Sequence, residues 1–227
     1  MLARNPLIVA IDVSNLERAE ELASSLAGHV AYVKAGMELF TAAGPAGVER
    51  IREHAPVMLD LKLHDIPNTV YRAAHNVGRL GAELLTVHAL GGIEMVRAAV
   101  EGAAKGAAAA GFEPPGILGV TVLSSLAGES LASPASLAFE AISAGATGVV
   151  VSGEDVREVR EAVGPRPVLV VPGIRPRGAG SNDHVRILSP AEALERGADL
   201  LVVGRPITEA DDPAATADAI LRDVGAA

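Results

Sequence analysis

The sequence has no cysteine, which excludes disulfides, zinc–thiolate sites, iron–sulfur clusters and thiol nucleophiles. It has no tryptophan, and aromatic residues make up only 2 %, so a core must be built from Ala, Val, Leu and Ile. Basic residues are outnumbered 19 to 28, a net charge of −9. A chain this acidic lacks the basic face that non-specific nucleic-acid binding needs, so no nucleic-acid partner is expected. An anionic ligand would have to be met by positive charges placed locally. No apolar run approaches the roughly 18 residues of a membrane span, so no membrane association is expected. The opening MLARNPLIVAIDV has no n-region, h-region or cleavage pattern, and the expected location is cytoplasmic. No two histidines have metal-site spacing and no carboxylate cluster suggests magnesium, so no metal is expected. P-loop, dinucleotide-binding and nucleophile-elbow motifs are also missing.

What is present is 227 residues, 49 % of them apolar, enough for one large domain or two small ones. Eight short apolar runs recur: Leu7–Ile11, Val30–Val33, Val57–Leu61, Leu84–Val87, Ile117–Val122, Gly148–Val151, Val168–Val171 and Leu200–Val203. Their mean spacing is about 28 residues, close to one strand–helix unit of an eight-unit barrel. Their continuous hydrophobicity suits buried parallel strands. The segments between them carry helix signals. Ser14-Asn15-Leu16-Glu17 reads as a capping box, with Leu16, Ala19, Leu22, Ala23 and Leu26 on one face. Ser133-Pro134, Ser189-Pro190 and Asp212-Pro213 each offer an N-cap followed by a first-turn proline, and Glu192 completes a second capping box. Gly28, Gly81, Gly145 and Gly197 sit where helices should stop. The expected fold is α/β: a (β/α)8 TIM barrel, one domain over residues 1–227.

Active sites of such barrels lie at the C-terminal strand ends. The polar residues there are Asp12, Lys34, Asp60 with Lys62, His88, Ser124, Ser152, the Pro172-Gly173 turn and Gly204-Arg205. Asp60 and Lys62, two apart on a strand, should point to the same face. Two charges on one strand face fit a barrel mouth where they are paired; a plain structural ion pair is the other reading. Asp65-Ile66-Pro67-Asn68-Thr69 continues this strand end, with Pro67 holding the turn and Asn68 or Thr69 starting a helix that carries Val70, Ala73, Ala74 and Val77. Later, about 16 residues separate the seventh strand from the next capped helix, a length common in active-site lids. Gly204-Arg205 follows the eighth strand, where these barrels usually bind phosphate, and Arg205 can fork onto an anion. His29, His54, His64 and His75 read as surface or packing residues, and His88 as lining the mouth.

The stretch Asp60-Leu61-Lys62-Leu63-His64-Asp65-Ile66-Pro67-Asn68-Thr69 resembles the bacterial-type branch of the orotidine 5′-phosphate decarboxylases. So do Ala10-Ile11-Asp12, Val33-Lys34-Ala35-Gly36, Pro172-Gly173-Ile174-Arg175-Pro176 and Val203-Gly204-Arg205-Pro206, and the likeness covers essentially the whole chain. The resemblance implies cofactor-independent decarboxylation of orotidine 5′-monophosphate to uridine 5′-monophosphate, the last step of de novo pyrimidine synthesis. It implies that Asp12 and Lys34 hold ribose hydroxyls. Lys34, Asp60, Lys62 and Asp65 would form a charged tetrad, with Lys62 as proton donor to the ring carbanion. Asp65, with Ile66 and Thr69, would serve a site shared across a homodimer. Ser124 would touch the pyrimidine, with Thr121 as the alternative contact. Pro172, Arg175, Gly204 and Arg205 would lie on the substrate, the last three at its phosphate. The chain departs from the family at His184, where a glutamine usually bridges phosphate and base. Competing readings are a sugar-phosphate decarboxylase or aldolase using magnesium, a non-catalytic phosphosugar sensor, and an isomerase on the same fold.

Overall fold

The computed structural model describes residues 5–122, 132–176 and 188–226. Its strands are β1 (Leu7–Ile11), β2 (Tyr32–Gly36), β3 (Val57–Leu63), β4 (Leu84–His88), β5 (Gly116–Val120), β6 (Gly148–Val150), β7 (Val168–Val171) and β8 (Leu200–Val203). They follow chain order around a closed parallel barrel, with helices alternating between them. Five strands, β2 to β6, differ from the expected runs at one end or both, and two of these differences bear on charged residues. The second strand runs through Lys34 to Gly36 rather than ending at Val33, and the third continues to Leu63 rather than Leu61. In both, charged residues lie inside the strand, so the apolar run stops before the backbone does.

The chain falls into two compact units, Met1–Val57 with Val170–Ala227, and Met58–Leu169. In the first, β1 pairs with β2 (Val9 opposite Val33) and with β8 (Val9 opposite Val203). All five β1 residues are buried. Helix α1 (Leu16–Ser25) buries Ala19, Leu22 and Ala23. Its cap is Asn15, whose side chain accepts the Arg18 N–H, and not Ser14. The Ser14 hydroxyl instead donates to Glu38 at 2.7 Å, on helix α2 (Met37–Arg52), so the expected box is replaced by a bond from the segment before α1 to α2.

In the second unit β4 pairs with β3 and β5, and β5 with β6. Helix α3 (Pro67–Gly78) begins at Pro67, ahead of the expected Asn68 or Thr69. Proline suits this first position because its missing N–H has no helical partner to lose. A one-turn 3₁₀ helix (Ala89–Gly91) leads into α4 (Gly92–Ala110), and α5 (Pro134–Ser143) and α6 (Val156–Val163) follow. Back in the first unit, α7 (Pro190–Glu195), α8 (Arg205–Thr208) and α9 (Pro213–Asp223) complete the set. The caps at Ser133, Ser189 and Asp212 form as expected, Ser189 with Glu192 in a full capping box.

Candidate active site

In the first unit Asp12 directly follows β1 and Lys34 lies on β2. The strand register sets Ala10 opposite Lys34, two residues short of Asp12. Lys34 is 8 % exposed, and its Nζ donates to Asp12 Oδ1 at 3.0 Å. Burying an ammonium group is costly unless a carboxylate answers it, and Asp12 supplies that carboxylate at the strand end. Gly36 leaves space for the pair. A Cβ there would sit 2.9 Å from Asp12 Oδ1 and 3.1 Å from Lys34 Nζ. After β7, Pro172 is half-buried and the Ile174 N–H donates to the Val202 carbonyl at 3.3 Å. The Arg175 N–H donates to the Leu188 carbonyl at 3.1 Å, and its residue is 8 % exposed. Gly204 caps α8, and Arg205 is its exposed first residue.

In the second unit the centre is β3. Leu59 pairs with Leu85 and Leu63 with Val87, so Asp60, Leu61 and Lys62 stand against the single residue Thr86. Lys62 has φ +48°, the only left-handed non-glycine among the described residues. Such a backbone costs of order 1–3 kcal/mol and persists only where its surroundings hold it. Here they do. The Lys62 N–H donates to Thr86 Oγ1 at 2.9 Å, and the Thr86 hydroxyl donates to Asp60 Oδ1 at 2.9 Å. Lys62 Nζ reaches both Asp60 oxygens at 2.8 Å. The expectation that Asp60 and Lys62 meet is met, but through a bulge and not through strand alternation. Asp60, Leu61, Lys62 and Leu63 are all half-buried, where alternation would separate inside from outside.

His64 stacks on His88 at 5.2 Å between ring centroids, with 29° between planes. Burial pushes the His88 pKa below the ordinary histidine value, and the neighbouring His64 and Lys62 push it the same way. His88 Nδ1 is buried with no hydrogen-bond partner among the described residues. Asp65 turns back on its own chain, Oδ1 accepting the Ile66 N–H at 2.6 Å. Ile66 and Thr69 are exposed. Thr121 is buried and donates to the Val150 carbonyl at 3.1 Å. Ser124 and His184 lie outside the described residues, as do residues 177–187 of the long loop. Two site residues had escaped sequence reasoning, Gly36 as a spacer and Thr86 as a bridge. The available signal for Thr86 was a lone hydroxyl in Leu84-Leu85-Thr86-Val87-His88, on the same side of the strand as His88.

Residues 5–220 match the family model described as "Orotidine 5′-phosphate decarboxylase / HUMPS family". The chain belongs to this family. Among relatives named orotidine 5′-phosphate decarboxylase, that of Anaeromyxobacter dehalogenans (strain 2CP-1) is 50 % identical over 225 residues, covering 94 % of this chain and 96 % of the relative. That of Moorella thermoacetica is 44 % identical over 236 residues, covering 99 % and 94 %. The crystal structure of orotidine 5′-phosphate decarboxylase from Lactobacillus acidophilus superposes with a TM-score of 0.84 at 38 % identity, covering 97 % of this chain and 99 % of that one. The decarboxylase family thus accounts for the barrel and for the charged Asp60–Asp65 segment together.

Proposed function

We propose that the chain decarboxylates orotidine 5′-monophosphate to uridine 5′-monophosphate, acting as one domain in the cytoplasm. The observation that carries this reading is the Lys62 ammonium clasped by Asp60 at 2.8 Å on a strained strand end, in a chain that belongs to the decarboxylase family. In the reaction the bond from ring carbon six to the carboxylate breaks and carbon dioxide leaves. The electron pair stays on the ring carbon. Lys62 stabilises that negative charge and delivers a proton to it, then regains one from solvent. Two unit charges 4 Å apart interact by about 4 kcal/mol at an effective dielectric of 20, so one lysine is a substantial part of the stabilisation and not all of it. Asp60 aims the amine. Lys34 and Asp12 would take the ribose hydroxyls, and Lys34, Asp60, Lys62 and Asp65 would act as one charged tetrad.

The phosphate would bind to Arg175, Gly204 and Arg205, with Pro172 against the substrate and Ser124 or Thr121 at the base. His184 would stand near the phosphate. Phosphate contacts are remote from the reacting bond, so their binding energy positions the ring. Asp65, Ile66 and Thr69 would reach the site of a second copy. In support, Asp65 to Thr69 are all exposed, Ile66 at 65 %, and the 3₁₀ turn and the start of α4 that follow β4 expose Leu90 and Ile93. The test is the ultraviolet absorbance of orotidine 5′-monophosphate incubated with the purified protein and excess chelator. A fall to the product spectrum is expected. No fall with or without magnesium would overturn the reading, and a fall only once magnesium is added would overturn its metal independence.

A further inference from the structure

We propose that Thr86 is a positioning residue for the proton donor, its hydroxyl setting the Lys62 backbone and the Asp60 carboxylate in one geometry. The inference rests on the reading of Lys62 as the donor. Thr86 is fully buried on β4 and is the single residue facing three on β3. A bulge forfeits ladder hydrogen bonds. The Lys62 N–H, displaced from the ladder, is answered by the Thr86 side chain. A hydroxyl has one proton to give. Because Thr86 Oγ1 accepts from the Lys62 amide, its own proton points away from that amide, to Asp60 Oδ1. The same Oδ1 accepts from Lys62 Nζ at 2.8 Å. The result is a closed ring: Lys62 backbone, Thr86 hydroxyl, Asp60 carboxylate, Lys62 amine. Threonine suits the place, since its β-branch fits a strand and limits χ1, which fixes the hydroxyl direction. Valine has the same shape and cannot close the ring. Serine can.

Thr86 touches neither the reacting atoms nor the substrate in this scheme, so its removal should act on the chemical step. Thr86→Val should lower kcat by about 10- to 100-fold with KM within about threefold of the parent, and Thr86→Ser should recover most of the loss. Thermal melting checks that each variant folds. If Thr86→Val does not fold, Thr86→Ala, which also lacks the hydroxyl and cannot overpack, takes its place against Thr86→Ser. A second readout does not depend on turnover. The chain has only three lysines, Lys34, Lys62 and Lys105. With ¹³C-labelled lysine, the Cε resonance of Lys62, identified by its loss in Lys62→Arg, should move in Thr86→Val and return in Thr86→Ser. Lys105 should stay in place. A parent protein without decarboxylase activity would defeat the proposed function and leave this readout intact. A folded Thr86→Val with parental kcat, a Thr86→Ser as impaired as Thr86→Val, or a Lys62 resonance that does not move would overturn the role of Thr86.

Discussion

Lys62 concentrates three demands on one residue: a left-handed backbone, a bidentate carboxylate partner and a half-buried amine. A strained conformation is kept only where neighbouring bonds over-determine it, and Thr86 and Asp60 supply those bonds. If the amine acts mainly in the transition state, Lys62→Ala should lower kcat by at least about a hundredfold while uridine 5′-monophosphate still binds. Stopped turnover with product affinity intact is the outcome to look for by calorimetry; a change confined to KM would contradict the assignment. His88, beside it, gives a second prediction. Its folded-state pKa is held below the unfolded value of about 6.5, chiefly by burial. Below that pH the unfolded chain takes up a proton that the folded chain resists, so stability falls as pH falls. The contribution of neutral His88 is therefore present above about pH 6.5 and lost as pH drops towards the folded-state value. Urea midpoints at pH 7.5 and 5.5 should differ less in His88→Phe, which keeps a ring against His64. The depressed carboxyl of Glu20, held down first by its hydrogen bond to His54, titrates at lower pH and does not enter this window. An equal pH slope in both proteins would remove His88 from the account.

Between elements, helices α3 and α4 meet through glycine. A Cβ at Gly78 would lie 2.2 Å from the Ala103 carbonyl oxygen, one at Gly102 2.2 Å from that of Tyr71, and one at Gly106 1.9 Å from that of His75. This contact fixes α3, the helix that the exposed Asp65–Thr69 turn enters. Alanine normally favours a helix over glycine by about 1 kcal/mol. Gly106→Ala should reverse that sign and destabilise by about 1–3 kcal/mol, because backbone and not a flexible side chain must move. Chemical denaturation measures it, and a gain in stability would mean the helices can separate freely. Much of the architecture was legible because strands, caps and helix stops are local: apolar runs marked eight strands, and Ser133, Ser189 and Asp212 cap as their spacing implies. The bulge was not, since nothing in Asp60-Leu61-Lys62 signals a left-handed lysine; no glycine or asparagine stands there. Strand alternation named the right neighbours for the wrong reason. Thr86 escaped because the partners of a buried hydroxyl come from another strand, and their approach depends on that same bulge.

For the whole molecule, a net charge of −9 and an anionic substrate are reconciled only if cations are local, which is where Lys34, Lys62, Arg175 and Arg205 would serve. The family resemblance on Asp60–Thr69 carried the functional reading further than charge or periodicity could, because those ten residues join a strand end to an exposed turn. The exposed turn is also what calls for a second copy. Asp65 Oδ1 accepts from the neighbouring Ile66 N–H, and Ile66 is 65 % exposed. A closed C2 dimer would bury this turn against the partner and deliver Asp65 to the site that the partner's own Lys62 serves. Asp65→Ala and Lys62→Ala homodimers should then each be nearly inactive. In a mixed dimer one site would receive Lys62 from one chain and Asp65 from the other and would be intact, while the second site would carry both defects. Random mixing makes about half of the dimers mixed, each with one good site of two, so activity should return to roughly a quarter of the parent. The two variants must be unfolded and refolded together, and native mass spectrometry must show the mixed dimer. If the mixed dimer forms and the mixture stays as inactive as its components, Asp65 acts within its own chain and the shared site is wrong.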